Sequence, residues 1–201
     1  MRRRVHGIHL CWGTYGFWLP NDPRGSGSAD VTAPHLRPFG PTTKVEERSR
    51  SRARQPHDRE LRKAAKLALK RPAVVFDGLQ GRAVARGFGE FLVAHGLTVW
   101  ACAVLPDHVH LVVGPSPIRA DELAARLKGA ATERLKAEGL HPFGHLADET
   151  GDVPKCWQKG EWKVYLFDPA GVRGRIQYVE DNPLKEGKRK QTWSFVVTYS
   201  G

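Results

Sequence analysis

The spacing of apolar residues along the chain alternates between a period of two and a period of three to four. Short runs rich in β-branched and aromatic residues predict strands at 5–12, 97–104, 109–113, 162–167 and 194–199. Apolar residues three or four apart predict helices at 79–95 and 118–138, and a further helix begins after the cap-like Asp168 and ends at Pro183. The predicted order is strand, helix, strand, strand, helix, strand, with another helix behind it.

This order predicts an α+β fold of the ferredoxin-like, split βαβ type, in which a small antiparallel sheet has helices packed on one face. The chain has 201 residues, the length of one domain, and we predict a single domain at 1–187 followed by a C-terminal extension at 188–201. An irregular loop insertion rich in Pro, Gly and Arg is predicted at about 13–57, because residues that favour turns are too frequent there for long regular elements.

Two histidines interrupt an otherwise apolar strand. The stretch LPDHVHLVV (105–113) places His108 and His110 on either side of Val109. Since residues i and i+2 of a strand project from the same face, the two imidazoles are predicted to be neighbours. Neutral imidazole is a common metal ligand, so the pair can hold one divalent cation. A His-x-His pair is also compatible with structural histidines, so it does not establish a metal site by itself.

A tyrosine and an asparagine share one face of the predicted C-terminal helix. Tyr178 and Asn182 are four residues apart in QYVEDNPLKEG, about one helical turn. A phenol has an ordinary pKa near 10 and becomes a nucleophile only when a base, a cation or strong hydrogen bonds activate it. The carboxamide of Asn182 can complete a ligand set begun by the histidines. The alternative for Tyr178 is a half-buried tyrosine that packs on the sheet.

Taken together, LPDHVHLVV and QYVEDNPLKEG resemble the single-tyrosine transposases of the HUH superfamily, and most closely the REP-associated tyrosine transposases. The resemblance implies a metal-dependent endonuclease and strand transferase that acts on single-stranded DNA, with 1–187 as its catalytic domain. By position it implies Tyr178 as the nucleophile that forms a 5′-phosphotyrosine. It implies His108, His110 and Asn182 as ligands of a divalent metal, for which we expect Mg²⁺ or Mn²⁺.

The charge of the chain favours a polyanionic partner. The formal net charge is +11, and residues 44–71 hold eleven Lys or Arg against four acids. The resemblance implies that this partner is single-stranded DNA with hairpins formed by palindromic repeats. A charge run can equally be a solvated face, and the aromatic residues of the 13–57 loop can either stack on unpaired bases or pack the loop onto the core. The predicted DNA contacts are Arg50, Arg52, Arg54, Arg62, Lys63, Lys66 and Lys185.

The remaining composition points to a cytoplasmic protein, associated with the nucleoid when bound to DNA. Cys11, Cys102 and Cys156 are far apart, which argues against a disulfide framework and a structural zinc site. No apolar run approaches the roughly 20 residues that span a bilayer, and the N-terminal stretch does not fit a signal peptide, so we expect no membrane partner. The predicted oligomeric state is a monomer or a homodimer, and the sequence does not distinguish them.

Two other functions compete with a transposase. A non-catalytic nucleic-acid-binding module on a ferredoxin-like sheet predicts exposed aromatic residues on the central strands, where this chain has histidines. A metal-dependent phosphohydrolase of small molecules does not explain a net charge of +7 within 44–71. Formation of a covalent protein–DNA species would distinguish a transposase from both of these functions.

Overall fold

The computed structural model describes residues 4–22, 31, 33–41 and 57–201. Within these residues there are four strands and four α-helices, together with short 3₁₀ turns at Pro34–Phe39 and Gly144–Leu146. None of the helices in these ranges is long and apolar enough to cross a membrane. In chain order the elements are β1 (Gly7–Gly13), α1 (Arg59–Leu67), α2 (Gly78–Ala94), β2 (Val99–Val104), β3 (His108–Val113), α3 (Ala120–Ala137), β4 (Trp162–Leu166) and α4 (Pro169–Lys185).

The four strands form one sheet in the order β2-β3-β1-β4, with every neighbouring pair antiparallel. β1 and β2 therefore run in the same direction with β3 between them, which is the split βαβ arrangement. In the register of β1 with β3, Leu10 lies opposite Leu111 and Cys11 lies opposite His110. The predicted α+β, ferredoxin-like fold is confirmed.

One face of the sheet is covered by α2 and α3. Leu10, Val109 and Leu111 are fully buried on this face, together with the inward residues of both helices. The two helices approach closely at Gly87, where a Cβ atom would lie 2.7 Å from the carbonyl oxygen of Ala130. A side chain at that position would push the helices apart.

The opposite face is covered by α4, so the prediction that the helices pack on one face holds for α2 and α3 alone. The residues of β2 that point away from α2 are Ala101 and Ala103, and both are buried. A strand that is apolar on both faces requires cover on both sides. Val172 and Val179 of α4 provide that cover by packing on this part of the sheet.

The start of α4 follows the predicted signals and its end differs by two residues. The Asp168 carboxylate accepts a hydrogen bond from the backbone N–H of Gly171 at 2.7 Å, and Pro169 occupies the first turn. The helix continues past the predicted stop at Pro183 and ends at Lys185. Pro183 lies in the final turn, close enough to the end that the helix stops soon afterwards.

The predicted last strand at 194–199 is wrong. This segment forms only an isolated bridge between Val196 and Val99, and the backbone N–H of Val197 donates to Val99 at 2.9 Å. The outer edge of β2 is paired instead by a side chain, because the Gln191 amide bonds both the N–H and the C=O of Val104 at 2.8 Å. Residues 194–199 are of types that favour strands, but residues 188–201 meet the sheet through individual contacts rather than a ladder of backbone hydrogen bonds.

Candidate active site

Three histidines and a cysteine project from the sheet face that α4 covers. His108 and His110 come from β3, and His9 and Cys11 come from the neighbouring β1. His110 and His9 are buried, with 5% and 3% of their surface exposed. The predicted neighbouring positions of His108 and His110 are present, with ring centroids 4.9 Å apart.

The His108 ring is held by a carboxylate and an aromatic ring. Its Nδ1 donates a hydrogen bond to Asp107 Oδ1 at 2.7 Å, which leaves Nε2 as the ring atom that can bind a ligand. The Phe17 ring stacks on His108 with centroids 4.9 Å apart. Asp107 thus has an orienting contact as well as its place in the turn between β2 and β3.

His9 contacts His110 directly, and sequence reasoning assigned His9 no chemistry. His9 Nε2 and His110 Nδ1 share a hydrogen bond of 3.0 Å, and the rings are stacked with centroids 5.2 Å apart. His110 Nε2 lies 4.0 Å from Cys11 Sγ. The only signal for His9 was its place in the β1 alternation, on the same side as Cys11.

Both buried imidazoles are neutral at neutral pH. Burial, with a smaller effect of the Arg175 guanidinium, lowers the pKa of His9 to about 3. Burial also lowers the pKa of His110 well below its ordinary value, and the neighbouring His9, His108, Arg175 and Lys185 add to that effect. Neutral imidazole is the form that binds metal ions.

Tyr178 lies beside these histidines. Because Val179 of α4 is buried against the sheet, the preceding residue lies at the edge of the covered face, and the Tyr178 side chain is 39% exposed. Its ring meets His110 edge-on at 5.6 Å and His9 edge-on at 6.0 Å between centroids. The structure thus brings together the histidine motif and the tyrosine, which are 68 residues or more apart in the sequence.

Two cations flank the tyrosine ring. The Arg175 guanidinium carbon is 5.2 Å from the ring centroid of Tyr178, and Lys185 Nζ is 4.7 Å from it. Neither cation has a carboxylate partner among the described residues, whereas Lys190 is paired with Glu180 at 2.7 Å. Lys185 was predicted as a DNA contact. Arg175 was missed, although its place three residues before Tyr178 puts it on the same side of α4.

A group of side chains suited to a divalent cation lies at the end of α4. Asp107, His108 and Glu186 each offer a ligand atom within 4.8 Å of the others. Glu186 was missed by sequence reasoning, although it lies two turns after Tyr178 at the end of the helix. One imidazole and two carboxylates fit Mg²⁺ or Mn²⁺, which prefer oxygen ligands. His110 is not part of this group.

Asn182 contacts the tyrosine through the helix backbone. Its side-chain Nδ2 donates to the carbonyl oxygen of Tyr178 at 2.9 Å, so the amide oxygen is the atom left for a ligand. The roles of His110 and Asn182 as metal ligands stay predictions.

Apart from Lys185, the predicted basic contacts fall into two groups. Arg50, Arg52 and Arg54 lie outside the described residues. Arg62, Lys63 and Lys66 lie on α1, which packs on the turn Pro34–Phe39 through Ala65. Arg62 is 3.7 Å from Asp22 and Lys63 is 2.7 Å from Glu60, so two of these cations have acidic neighbours. These α1 residues make no hydrogen bond or ion pair with the histidines or Tyr178 in the described part of the chain.

Three aromatic residues at the end of β1 and just after it pack on the protein, which is the second of the two predicted alternatives. Phe17 is buried against His108, and Tyr15 packs edge-on against Phe143 with centroids 6.0 Å apart. Trp12 is fully buried in the core. The buried Phe17 and Trp12 do not offer free faces for stacking on bases.

The solved structures that match the chain include two transposases. No protein-family model matches the chain, and no curated protein matches it. The structure of a REP-associated tyrosine transposase bound to a REP hairpin matches with 14% identity and a TM-score of 0.46, covering 97% of this chain and 78% of that chain. A putative transposase from Deinococcus radiodurans R1 matches with 17% identity and a TM-score of 0.41, covering 95% of this chain and 98% of that chain.

Proposed function

We propose that this protein is a DNA transposase: a metal-dependent endonuclease and strand transferase that cuts single-stranded DNA with Tyr178 as its nucleophile. The observation that carries the proposal is the position of Tyr178, half-exposed on α4 and edge-on to His110. It lies between two cations that have no carboxylate partner within the part of the chain that the structure describes. A tyrosine that only packed on the sheet would not need this surrounding charge.

The proposed reaction is a transesterification. Tyr178 Oη attacks the phosphorus of a phosphodiester, and the new bond is an ester between the tyrosine and the 5′ side of the DNA. The bond to the 3′ oxygen breaks, and the proton lost by the phenol is balanced by the proton that the leaving 3′ oxygen takes up. Because the ester bond is kept as a 5′-phosphotyrosine, a 3′-hydroxyl of another strand can reverse the step and join DNA.

The chain's own residues have distinct parts in this reaction. Arg175 and Lys185, which flank the Tyr178 ring, would contact the non-bridging oxygens of the phosphate that it attacks. His108 would hold a divalent ion together with His110 and Asn182, as the motif predicts. On its other side, Asp107 and Glu186 lie within ligand distance of His108 and would offer carboxylates to an ion there. Mg²⁺ or Mn²⁺ bound there would polarise a phosphoryl oxygen.

The proposed substrate is single-stranded DNA that folds into hairpins. The net charge of +11 supports a polyanion, and the basic stretch 44–71 supplies most of that charge. Since its substrate is DNA, we propose that the protein is located in the cytoplasm, at the nucleoid. We propose that it acts as a monomer or a homodimer. The rival module that binds nucleic acid without cutting it would use exposed aromatics on the sheet, but α4 covers that face and its central residues are histidines.

The test is a covalent adduct. We expect the protein, incubated with labelled hairpin-bearing single-stranded DNA and Mn²⁺, to give a protein–DNA band that survives a denaturing gel. Tyr178→Phe should lose the band. Tyr165→Phe is the matched control, because Tyr165 is 38% exposed on β4, and it should keep the band. Binding of DNA without an adduct in either Mg²⁺ or Mn²⁺ would contradict the proposal.

A further inference from the structure

His9 is a buried titratable side chain to which the proposed reaction gives no role. It lies on β1, opposite Val112 of β3, so its ring is diagonal to that of His110 on the same face. Its Nε2 meets His110 Nδ1 at 3.0 Å, and its Nδ1 is buried without a hydrogen-bond partner among the described residues. Leaving a buried polar atom unpaired costs stability, so a benefit elsewhere is required.

The direction of the His9–His110 hydrogen bond decides what His110 can do. A neutral imidazole has one N–H donor and one acceptor nitrogen. If His9 Nε2 carries the hydrogen, His110 must carry its own hydrogen on Nε2, and that atom cannot bind a metal. If His110 Nδ1 carries the hydrogen and donates it to His9, the lone pair of His110 Nε2 is open.

We propose that His9 is a positioning residue that accepts the Nδ1–H of His110 and so presents the Nε2 lone pair of His110 to a divalent cation. This inference rests on the function proposed above. His108 shows the same arrangement with a different acceptor, because its Nδ1 donates to Asp107 and its Nε2 remains for a ligand. His108 and His110, whose ring centroids are 4.9 Å apart, would then both present Nε2 to the cation.

The cysteine beside His110 is compatible with this assignment. Burial raises the pKa of Cys11 to about 12, so its sulfur stays a protonated thiol. A thiol is a weak donor, and Cys11 Sγ lies 4.0 Å from His110 Nε2. In the absence of metal, the S–H group can point at the open lone pair.

The choice of a histidine as acceptor also fits its surroundings. A carboxylate at position 9 would be buried with little access to water, at a large cost in desolvation. Neutral His9 orients His110 without adding a charge. Asp107, by contrast, orients the less buried His108, where a carboxylate keeps part of its contact with solvent.

The hydrogen positions are read by nitrogen NMR of the metal-free protein. Long-range proton–nitrogen spectra of the imidazole rings distinguish a protonated ring nitrogen from an unprotonated one. We expect His110 to be protonated on Nδ1 and unprotonated on Nε2. The opposite pattern would overturn the inference, and since the spectrum is that of the wild-type chain, it does not depend on a variant folding.

Metal binding gives the second readout, measured as Mn²⁺ affinity by electron paramagnetic resonance without DNA. His9→Leu removes the acceptor and should weaken Mn²⁺ binding by about 10- to 100-fold. His9→Gln keeps an acceptor oxygen near the place of Nε2 and should recover most of the affinity. His141→Gln is the control, because His141 is a buried histidine that contacts Phe143 and lies outside the site.

The outcomes separate this inference from the proposed function. Wild-type Mn²⁺ affinity in His9→Leu would refute the positioning role, even if the DNA adduct of Tyr178 forms. Failure of that adduct in the wild type would refute the proposed function, whatever the NMR pattern of His110.

Discussion

On the sheet face under α2 and α3, Leu10, Val109 and Leu111 form a closed apolar core, while the same two strands present His9 and His110 to α4 on the other face. One-residue alternation is enough to give one strand both surfaces. The first face is sealed by two long helices. The second has one helix, which packs on an apolar part of the sheet and leaves the histidines beside a half-exposed tyrosine.

The comparison shows how a small domain can hold a buried polar site. The apolar half of the second face, formed by Ala101, Ala103 and Val112, anchors α4 through Val172 and Val179. That anchoring fixes Tyr178 next to the imidazoles without requiring the imidazoles themselves to supply packing energy. Stability and ligand binding should therefore respond to different residues of β3.

The largest expected effect comes from the closed face. Leu111→Ala should lower the free energy of unfolding by about 3 kcal/mol, because it removes a fully buried side chain and leaves a cavity between the sheet and its helices. Chemical denaturation measures the change. The fraction that remains folded should bind Mn²⁺ with unchanged affinity, since the site faces the other way.

The neighbouring His108→Ala provides the reverse test. Its side chain is partly exposed, so the stability should change less than in Leu111→Ala, while Mn²⁺ binding should be lost. An equal loss of stability in both variants would contradict the division between the two faces.

The next effect is a loss of stability in acid that arises on the histidine face. The folded pKa of His9 is about 3 and that of His110 is also lowered, whereas both are near 6.5 in the unfolded chain. Between these values the unfolded state binds more protons, so stability is complete above pH 6.5 and falls as the pH is lowered. His9 contributes about 1.4 kcal/mol per pH unit, or about 2 kcal/mol by pH 5, and His110 contributes a loss of the same sign.

Denaturation of the metal-free protein at pH 7.5, 6 and 5 measures this loss. His9→Gln has no titrating ring at position 9, so its stability should fall less steeply over the same range. Parallel curves for the wild type and His9→Gln would show that the acid sensitivity arises elsewhere.

The smallest effect concerns the helix that covers the site. Asp168→Ala removes the cap that accepts from Gly171 and should cost about 1 kcal/mol. Without this cap the start of the helix frays, so hydrogen exchange should quicken in the first turns of α4, the helix that carries Tyr178. Asp77→Ala removes the equivalent cap of α2, which accepts from Gln80 at 2.8 Å, and serves as the control on the closed face. Faster exchange in α4 after Asp77→Ala would mean that α2 and α4, which lie on opposite faces of the sheet, are coupled.

Much of this arrangement follows from short-range pattern. Alternation in 105–113 predicts both the apolar face of Val109 and the paired imidazoles, and the four-residue spacing of Tyr178 and Asn182 predicts a shared helix side. The order of elements predicts the strand order, because a split βαβ unit leaves few alternatives. These features depend on residues close together in the chain.

The features that were missed depend on packing between distant elements. His9 becomes part of the site only through the register of β1 with β3, which a single strand pattern does not specify. Glu186 meets His108 because α4 crosses the second face of the sheet, whereas the helices were predicted to pack on one face. The run 194–199 has strand composition, but whether it pairs depends on how the preceding Gln191 meets β2.

The Gln191 contact has a consequence for the order in which the chain folds. The side chain that closes the outer edge of β2 lies 87 residues after the strand it protects. During synthesis, β2 and β3 can pair long before that residue emerges, with the backbone groups of Val104 still unpaired. In that interval the apolar strand VWACAV is open to pairing with a second nascent chain. When residues 188–201 dock, the Gln191 amide pairs these backbone groups and closes that part of the β2 edge to another strand.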